Sequence, residues 1–268
     1  AGWMPELYRL AEAAILERDT QAKCEQTRRL FRDWRQGTLE LDTGSPILPI
    51  VDPGRPALPE LVDPRKLPRR SFACEAGRLR LLHAFAHIEF NAVNIALDAV
   101  YRFREVPESY IDDWLSVAVD EAEHYTMLES ELRRRGSFYG AVTAHGGLWD
   151  MVCKTRGSLL HRIALVPRVM EARGLDVTPG IVERFRQFGD LTAAEILETI
   201  YRDEIRHVRI GNHWYRRLCD AQGLEPMATF TNLIEVYLGK NLRGPFNWKA
   251  RIAAGFQRAE LEFLEGQN

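Results

Sequence analysis

The 268 residues predict an all-α chain built on an antiparallel four-helix bundle, with helical extensions at both ends and a proline-rich arm. Three observations carry that prediction. Apolar residues recur at helical spacing, and no stretch alternates convincingly enough to be a strand. Several of the helical segments are 26 to 33 residues long, roughly 40 to 50 Å at 1.5 Å per residue, which suits an antiparallel bundle. Two of them carry one pentapeptide pattern, Asp120-Glu121-Ala-Glu-His124 and Asp203-Glu204-Ile-Arg-His207. A lone glutamate on an apolar stripe precedes each at a nearly equal interval, Glu89 by 32 residues and Glu171 by 33.

In chain order, residues 5–36 have helical periodicity without internal Gly or Pro, and Gly37 is a plausible stop for one or two leading helices. Residues 38–70 contain Pro46, Pro49, Pro53, Pro56, Pro59, Pro64 and Pro68. These remove backbone donors and fix φ, so the segment reads as an extended arm laid over the surface. Ser71 is a reasonable N-cap, with Glu75 near the positive end, for a helix continuing to about Phe103. Pro107 opens a second helix that Gly136 stops. After a Gly-rich turn, a third helix spans about 148–173, kinked by Pro167 one turn before Glu171. Gly174 ends it, and Thr178-Pro179 reads as an N-cap with Pro at the first position of a short helix to Phe188. The fourth long helix spans about 191–221, and residues 225–268 hold two further helical stretches broken by Gly244-Pro245. The domain reading is 1–70 for the leading helices and arm, 71–222 for the bundle and 223–268 for the extension.

Apolar residues make up 46% and charged residues 28%, ordinary values for a globular protein, and no uncharged apolar run approaches the roughly 18 to 20 residues of a membrane span. A net charge of -2 gives no global drive toward nucleic acid or anionic membrane. Arg133-Arg134-Arg135 and the stretch from Arg65 to Arg70 are locally basic, but most such runs are solvated faces. Cys24, Cys74, Cys153 and Cys219 form no Cys-x-x-Cys pair and read as small buried hydrophobes. With no secretory leader pattern at the start, a reducing cytoplasm is the expected location.

A Glu and a His three positions apart lie on one helix face and can offer a carboxylate and an imidazole to one metal ion. Glu89 shares its face with Phe85, Ala86, Val93, Ala96 and Val100. Trp114, Val117, Ala118 and Leu128 flank Glu121, while Leu197, Ile200, Val208 and Gly211 flank Glu204. Leu160, Ile163, Ala164 and Pro167 support burial of Glu171, although Arg168 lies near that face. Carboxylates converging in such a core need compensating positive charge, which two divalent cations supply. Chance alone would give roughly 0.6 Glu-x-x-His pairs, and two with matched upstream glutamates are harder to dismiss than one. The expected ligands are Glu89, Glu121, His124, Glu171, Glu204 and His207. Glu121 and Glu204 would bridge, Glu89 and Glu171 would be terminal, and each ion would take one histidine. Two irons are the first expectation, with manganese or a mixed pair accepted by the same donors. Asp120 and Asp203 would orient the imidazoles, the alternative being solvent-facing helix charges. His83 and His87 share a face rotated from Glu89 and would support helix packing or stand behind the ligands. Tyr201 and Tyr125 are candidate redox-active phenols or ordinary buried aromatics. His145, His161 and His213 have no supporting constellation.

With these residues in view, the chain resembles the ferritin-like di-iron superfamily, and Asp203-Glu204-Ile205-Arg206-His207 looks like the Asp-Glu-x-Arg-His signature of its oxygen-activating hydroxylases. More narrowly, His83-Ala-Phe-Ala-His87-Ile-Glu89, Glu171-Ala-Arg-Gly-Leu-Asp176 and the stretch from Asp203 to Gly211 resemble the family called domain of unknown function 455. That resemblance covers about residues 70–220. It implies a four-helix di-metal bundle and, by extension, an oxygen-activating oxidoreductase or hydroxylase. The partners expected are dioxygen or peroxide, a small-molecule substrate, an electron donor and a second copy in a homodimer. Similarity to the tRNA-modifying branch is confined to the ligand arrangement, which leaves tRNA as a weakly suggested substrate. The competing readings are ferroxidation or metal storage, peroxide reduction, and a bundle that metal merely rigidifies. Nucleic-acid binding would require a contiguous arginine surface and strongly salt-dependent affinity.

Overall fold

The computed structural model describes residues 4–266. The chain condenses into two compact units, the first reaching Cys153 and the second starting at Lys154. Regular structure among the described residues is helical, and β-type pairing among them is confined to isolated bridges joining Glu6 to Glu40 and Leu61 to Ala144. None of the described helices is long and apolar enough to cross a membrane.

The first unit contains α1 (Leu7–Leu16), α2 (Thr20–Arg35), α3 (Glu75–Arg102), α4 (Glu108–Arg134) and α5 (Gly147–Lys154). α1 packs on α2 and α3, α2 on α4, and α3 along α4. Carboxylates cap both leading helices: Glu6 accepts from the N–H groups of Tyr8 and Arg9, and Asp19 accepts from that of Ala22. α3 starts three residues later than the Ser71 cap predicts, with Cys74 at the N-cap position. The Ser71 hydroxyl instead accepts from Ala73 N–H at 3.2 Å, and the chain folds back so closely that a Cβ on Gly77 would lie 2.0 Å from the Ser71 carbonyl oxygen. Gly77 permits this crossing, and the helix begins beyond it. α4 opens after Pro107 and stops before Gly136, whose φ of 78° suits glycine.

The arm is extended as expected except for a 3-10 turn at Pro64–Lys66, capped by the Asp63 carboxylate. Its backbone is held by side chains of the helices beneath it: the Tyr101 hydroxyl accepts from Leu48 N–H at 2.7 Å, and the Trp149 indole donates to the Val51 carbonyl at 2.9 Å. Gly54 donates to the Ile15 carbonyl at 2.8 Å, and a Cβ at Gly54 would fall 2.0 Å from the Leu16 oxygen.

Lys23 of α2 is fully buried. Its ammonium donates to the carbonyls of Ala14 at 3.0 Å and Ile15 at 2.6 Å, and to Asn94 Oδ1 of α3 at 2.6 Å. The Phe90 ring lies 5.4 Å from it. One side chain thus satisfies carbonyls at the end of α1 and ties α1, α2 and α3 together.

The second unit contains α6 (Leu159–Leu165), a π-helical turn (Val166–Glu171), α7 (Ala172–Gln187), α8 (Leu191–Gln222), α9 (Pro226–Leu238), α10 (Trp248–Ala253) and α11 (Arg258–Gly266). Three expectations are corrected here. The helix predicted over 148–173 is interrupted at residues 155–158, where the Ser158 hydroxyl caps α6 by accepting from His161 N–H. Gly174 does not end a helix and Thr178-Pro179 does not start one, because α7 runs through both. Pro179 lacks the N–H that would bond to Leu175 four residues earlier, and Asn247 Nδ2 supplies the donor to that carbonyl at 3.0 Å. Arg251 clamps the same turn, donating through Nε and Nη2 to Asp176 at 2.9 and 2.7 Å. Last, the stretch after Gly244-Pro245 is two short helices, parted at Gly255 with φ 93°.

Candidate metal centre

In the first unit α3 contributes Glu89 and α4 contributes Glu121 and His124. One ligand atom from each lies within 4.8 Å of the others, and all three side chains are buried. His124 Nδ1 is 3.1 Å from Glu121 Oε2 and 3.4 Å from Glu89 Oε2. The three-residue spacing puts Glu121 and His124 one above the other on the face that α4 turns to α3. The surroundings are apolar: Ala86, Phe90 and Val93 on α3, and Trp114, Val117, Ala118 and Leu128 on α4, are all buried. Burial, and then the neighbouring Glu121 charge, push the Glu89 carboxyl well above the usual carboxylate range. Two buried carboxylates that repel each other, with an imidazole beside both, form a donor set that a cation would satisfy.

The second unit carries the other Glu-x-x-His pair. His207 Nδ1 is 3.4 Å from Glu204 Oε2 on α8, with His207 fully buried and the Glu204 side chain 14% exposed. Glu171 is the last residue of the π-helical turn and directly precedes α7. A further contact positions this turn against α8. Gly211, one helical turn after His207, has Pro167 so close that a Cβ on it would lie 2.6 Å from the Pro167 Cβ. The glycine that the sequence places on the ligand stripe is there to admit the proline ring. The Pro167 distortion is therefore a π turn seated on α8 rather than a simple kink.

The profile of the family described as "Protein of unknown function (DUF455)" matches residues 16–262, which include all six candidate ligands. The chain belongs to this family. A protein of Haemophilus influenzae (strain ATCC 51907 / DSM 11121 / KW20 / Rd), described as an uncharacterized protein, is 46% identical over 216 residues. The match covers 78% of this chain and 75% of that relative. No solved structure matches.

The remaining candidates in this DUF455 chain fall into two groups. Asp120 and Asp203 are half-buried on α4 and α8 beside the Glu-x-x-His pairs. His83, His87 and Tyr201 have polar partners elsewhere. His83 Nε2 accepts from Gly140 N–H at 2.9 Å, and His87 places Nδ1 2.7 Å from the Tyr139 hydroxyl and Nε2 2.8 Å from the His145 carbonyl. The two histidines thus anchor the Gly-rich turn after α4, which is the packing role open to them from sequence. The Tyr201 hydroxyl accepts from Asn247 Nδ2 at 3.0 Å. Tyr139, Asn247 and Gly211 carry roles that composition did not single out; a glycine in register with Glu204 and His207 was the one local clue.

His83 gives a pH-dependent prediction. Burial, followed by His87, lowers its pKa to about 4, and the bond from Gly140 N–H requires an unprotonated Nε2. The unfolded chain takes up this proton near the ordinary histidine pKa of ~6.5, whereas the folded chain resists it until about pH 4. The contribution to stability is therefore full above pH 6.5 and falls as pH drops toward 4, by up to about 3 kcal/mol. His83→Gln retains an acceptor and cannot titrate. Urea unfolding from pH 7 to 4.5 should show a shallower loss than wild type, and identical slopes would refute the assignment.

Proposed function

We propose that the chain holds a pair of transition-metal ions and uses them to oxidise an organic substrate with dioxygen. On this reading Glu89, Glu121 and His124 form one half of the ligand set and Glu171, Glu204 and His207 the other, within a ferritin-like bundle spanning 71–222. The observation that carries it is the recurrence, in each unit, of a Glu-x-x-His pair with imidazole and carboxylate 3.1 or 3.4 Å apart. The resemblance to di-iron hydroxylases and the equal spacing of the upstream glutamates support it. Iron is the metal proposed, with manganese or a mixed pair compatible with the donors.

When bound, the metal pair supplies redox capacity and a Lewis-acidic position for dioxygen. The chain's own groups do the rest. Glu121 and Glu204 would hold the charge shared by two cations, and Glu89, driven toward its protonated form by burial, would lose a proton on metal binding, so metal affinity should rise with pH. Trp114, Val117 and Phe90 keep water from the Glu89 and Glu121 carboxylates. Asp120 and Asp203 are placed one residue before each ligand pair, where they can hold imidazole orientation.

Protein purified without chelator is expected to contain about two transition-metal ions per chain by elemental analysis. Anaerobic loading with ferrous iron followed by air should produce a transient absorption change. Bound iron with no spectral change would refute oxygen activation and leave a metal-rigidified bundle; failure to bind metal would refute the centre itself.

A further inference from the structure

α8 has two faces of opposite character. Glu204 and His207 lie on one, while Arg202, Arg206, Arg209, His213 and Arg216 follow one another at intervals of four, three, four and three residues on the other. At 100° per residue these five stay within an arc of about 80°, and the stripe is roughly 21 Å long. No acidic residue falls inside that arc between Arg202 and Arg216. Arg202, Arg209 and His213 are exposed, and Arg206 and Arg216 half-buried.

Arg209 and Arg216 are held in place by groups that do not cancel their charge. Arg209 Nε donates to the Ala253 carbonyl at 2.9 Å and Arg216 Nη1 to the Gly255 carbonyl at 2.7 Å, both at the end of α10. Arg202 Nη2 reaches the neutral Thr199 hydroxyl at 3.4 Å. Elsewhere in this unit Arg186, Arg251 and Arg258 pair with Glu198, Asp176 and Glu262. α10, packed on α8, contains Lys249 and Arg251 and no acidic residue. An ordinary solvated face alternates signs, whereas this one carries arginines with no acidic residue in the arc between Arg202 and Arg216.

We infer that this face of α8 binds the phosphodiester backbone of a nucleic-acid duplex. Regularly spaced phosphates suit a row of arginines, of which Arg209 and Arg216 are already held by backbone carbonyls. The aromatic residues beside the stripe, Trp214 and Tyr215, are buried and offer no platform for the stacked bases that single-strand binders use. Among the described residues of α8, Leu191 at its first position is the exposed large apolar side chain, so the stripe has no apolar rim to enter a membrane. The inference is independent of the metal reading, since the stripe lies on the opposite side of α8 from Glu204 and His207.

The test is fluorescence anisotropy of the full chain with labelled RNA and DNA duplexes of roughly 20 base pairs, in about 50 to 200 mM KCl. A matched single strand and phosphatidylserine vesicles serve as separate arms. Duplex binding should weaken linearly in log–log form with a slope of about −3, for three or four phosphates. Arg202→Glu combined with Arg209→Glu should lower affinity at least ~10-fold and flatten the slope by about 2. Arg202→Glu alone, which removes only the Thr199 contact, should keep the wild-type circular dichroism and still weaken binding. Arg133→Glu on α4 should change nothing. Absence of duplex binding, a slope near zero, undiminished binding by the Arg202→Glu chain, or preference for single strands or vesicles would overturn the inference. Glu121→Ala protein should bind duplex as wild type does, which separates this result from any failure of the metal centre.

Discussion

Replacing Glu121 with alanine is expected to cut transition-metal content from about two ions per chain to well below one, and Glu204→Ala to do the same. The isosteric Glu121→Gln sharpens the test. In metal-free protein Glu89 and Glu121 oppose each other in a dry environment, and Glu89 is driven toward its protonated form. Removing one charge relieves that conflict, so metal-free Glu121→Gln should unfold at the same temperature as metal-free wild type or higher. Added metal should stabilise only the wild type, by about 2.7 kcal/mol at 100 times the dissociation constant. For a chain of this size that corresponds to a shift of roughly 5 to 10 °C. If the carboxylates and histidines merely formed salt bridges, Glu121→Gln would instead lower the melting temperature and metal would be irrelevant to both proteins. Differential scanning calorimetry with and without ferrous iron distinguishes the two.

Replacing Lys23 with methionine should have the largest effect on stability. The substitution keeps an apolar stem of similar length and removes the ammonium that three acceptors surround. The Ile15 carbonyl retains Gly54 N–H, but the Ala14 carbonyl and Asn94 Oδ1 lose this buried donor. Leaving a neutral buried acceptor without its donor costs about 1–3 kcal/mol, and two are left here, far more than the loss of a surface charge. Urea unfolding should show a lower midpoint with little change in slope. A loss below about 1 kcal/mol would mean that the Lys23 contacts do not hold the three helices together.

The legible parts of this fold were those written within one or two helical turns. The Glu-x-x-His pairs could be read because their spacing alone decides which face both side chains share, and the proline density of 38–70 left room for no more than a single 3-10 turn at Pro64–Lys66. The misread parts depend on partners far along the chain. Gly174 and Pro179 look like a stop and a start, but Asn247 and Arg251, some 70 residues later, supply the donor and the clamp that let α7 continue. Ser71 has the chemistry of a cap, yet the fold-back over Gly77 decides where α3 begins. The anchoring of His83 and His87 by the turn after α4 was likewise invisible, because nothing local to α3 announces Gly140, Tyr139 or the His145 carbonyl.

The π-helical turn at Val166–Glu171 makes the azimuth of Glu171 depend on backbone winding rather than on residue type. A π turn takes up more residues than an α turn over the same stretch of axis. Rewinding the same residues as ordinary α-helix, with none removed, would rotate everything downstream by about 100°. Glu171 would then swing off its bearing although its identity, and every other carboxylate, remained unchanged. The winding of this one turn is in that sense as much a determinant of the proposed centre as the acids themselves.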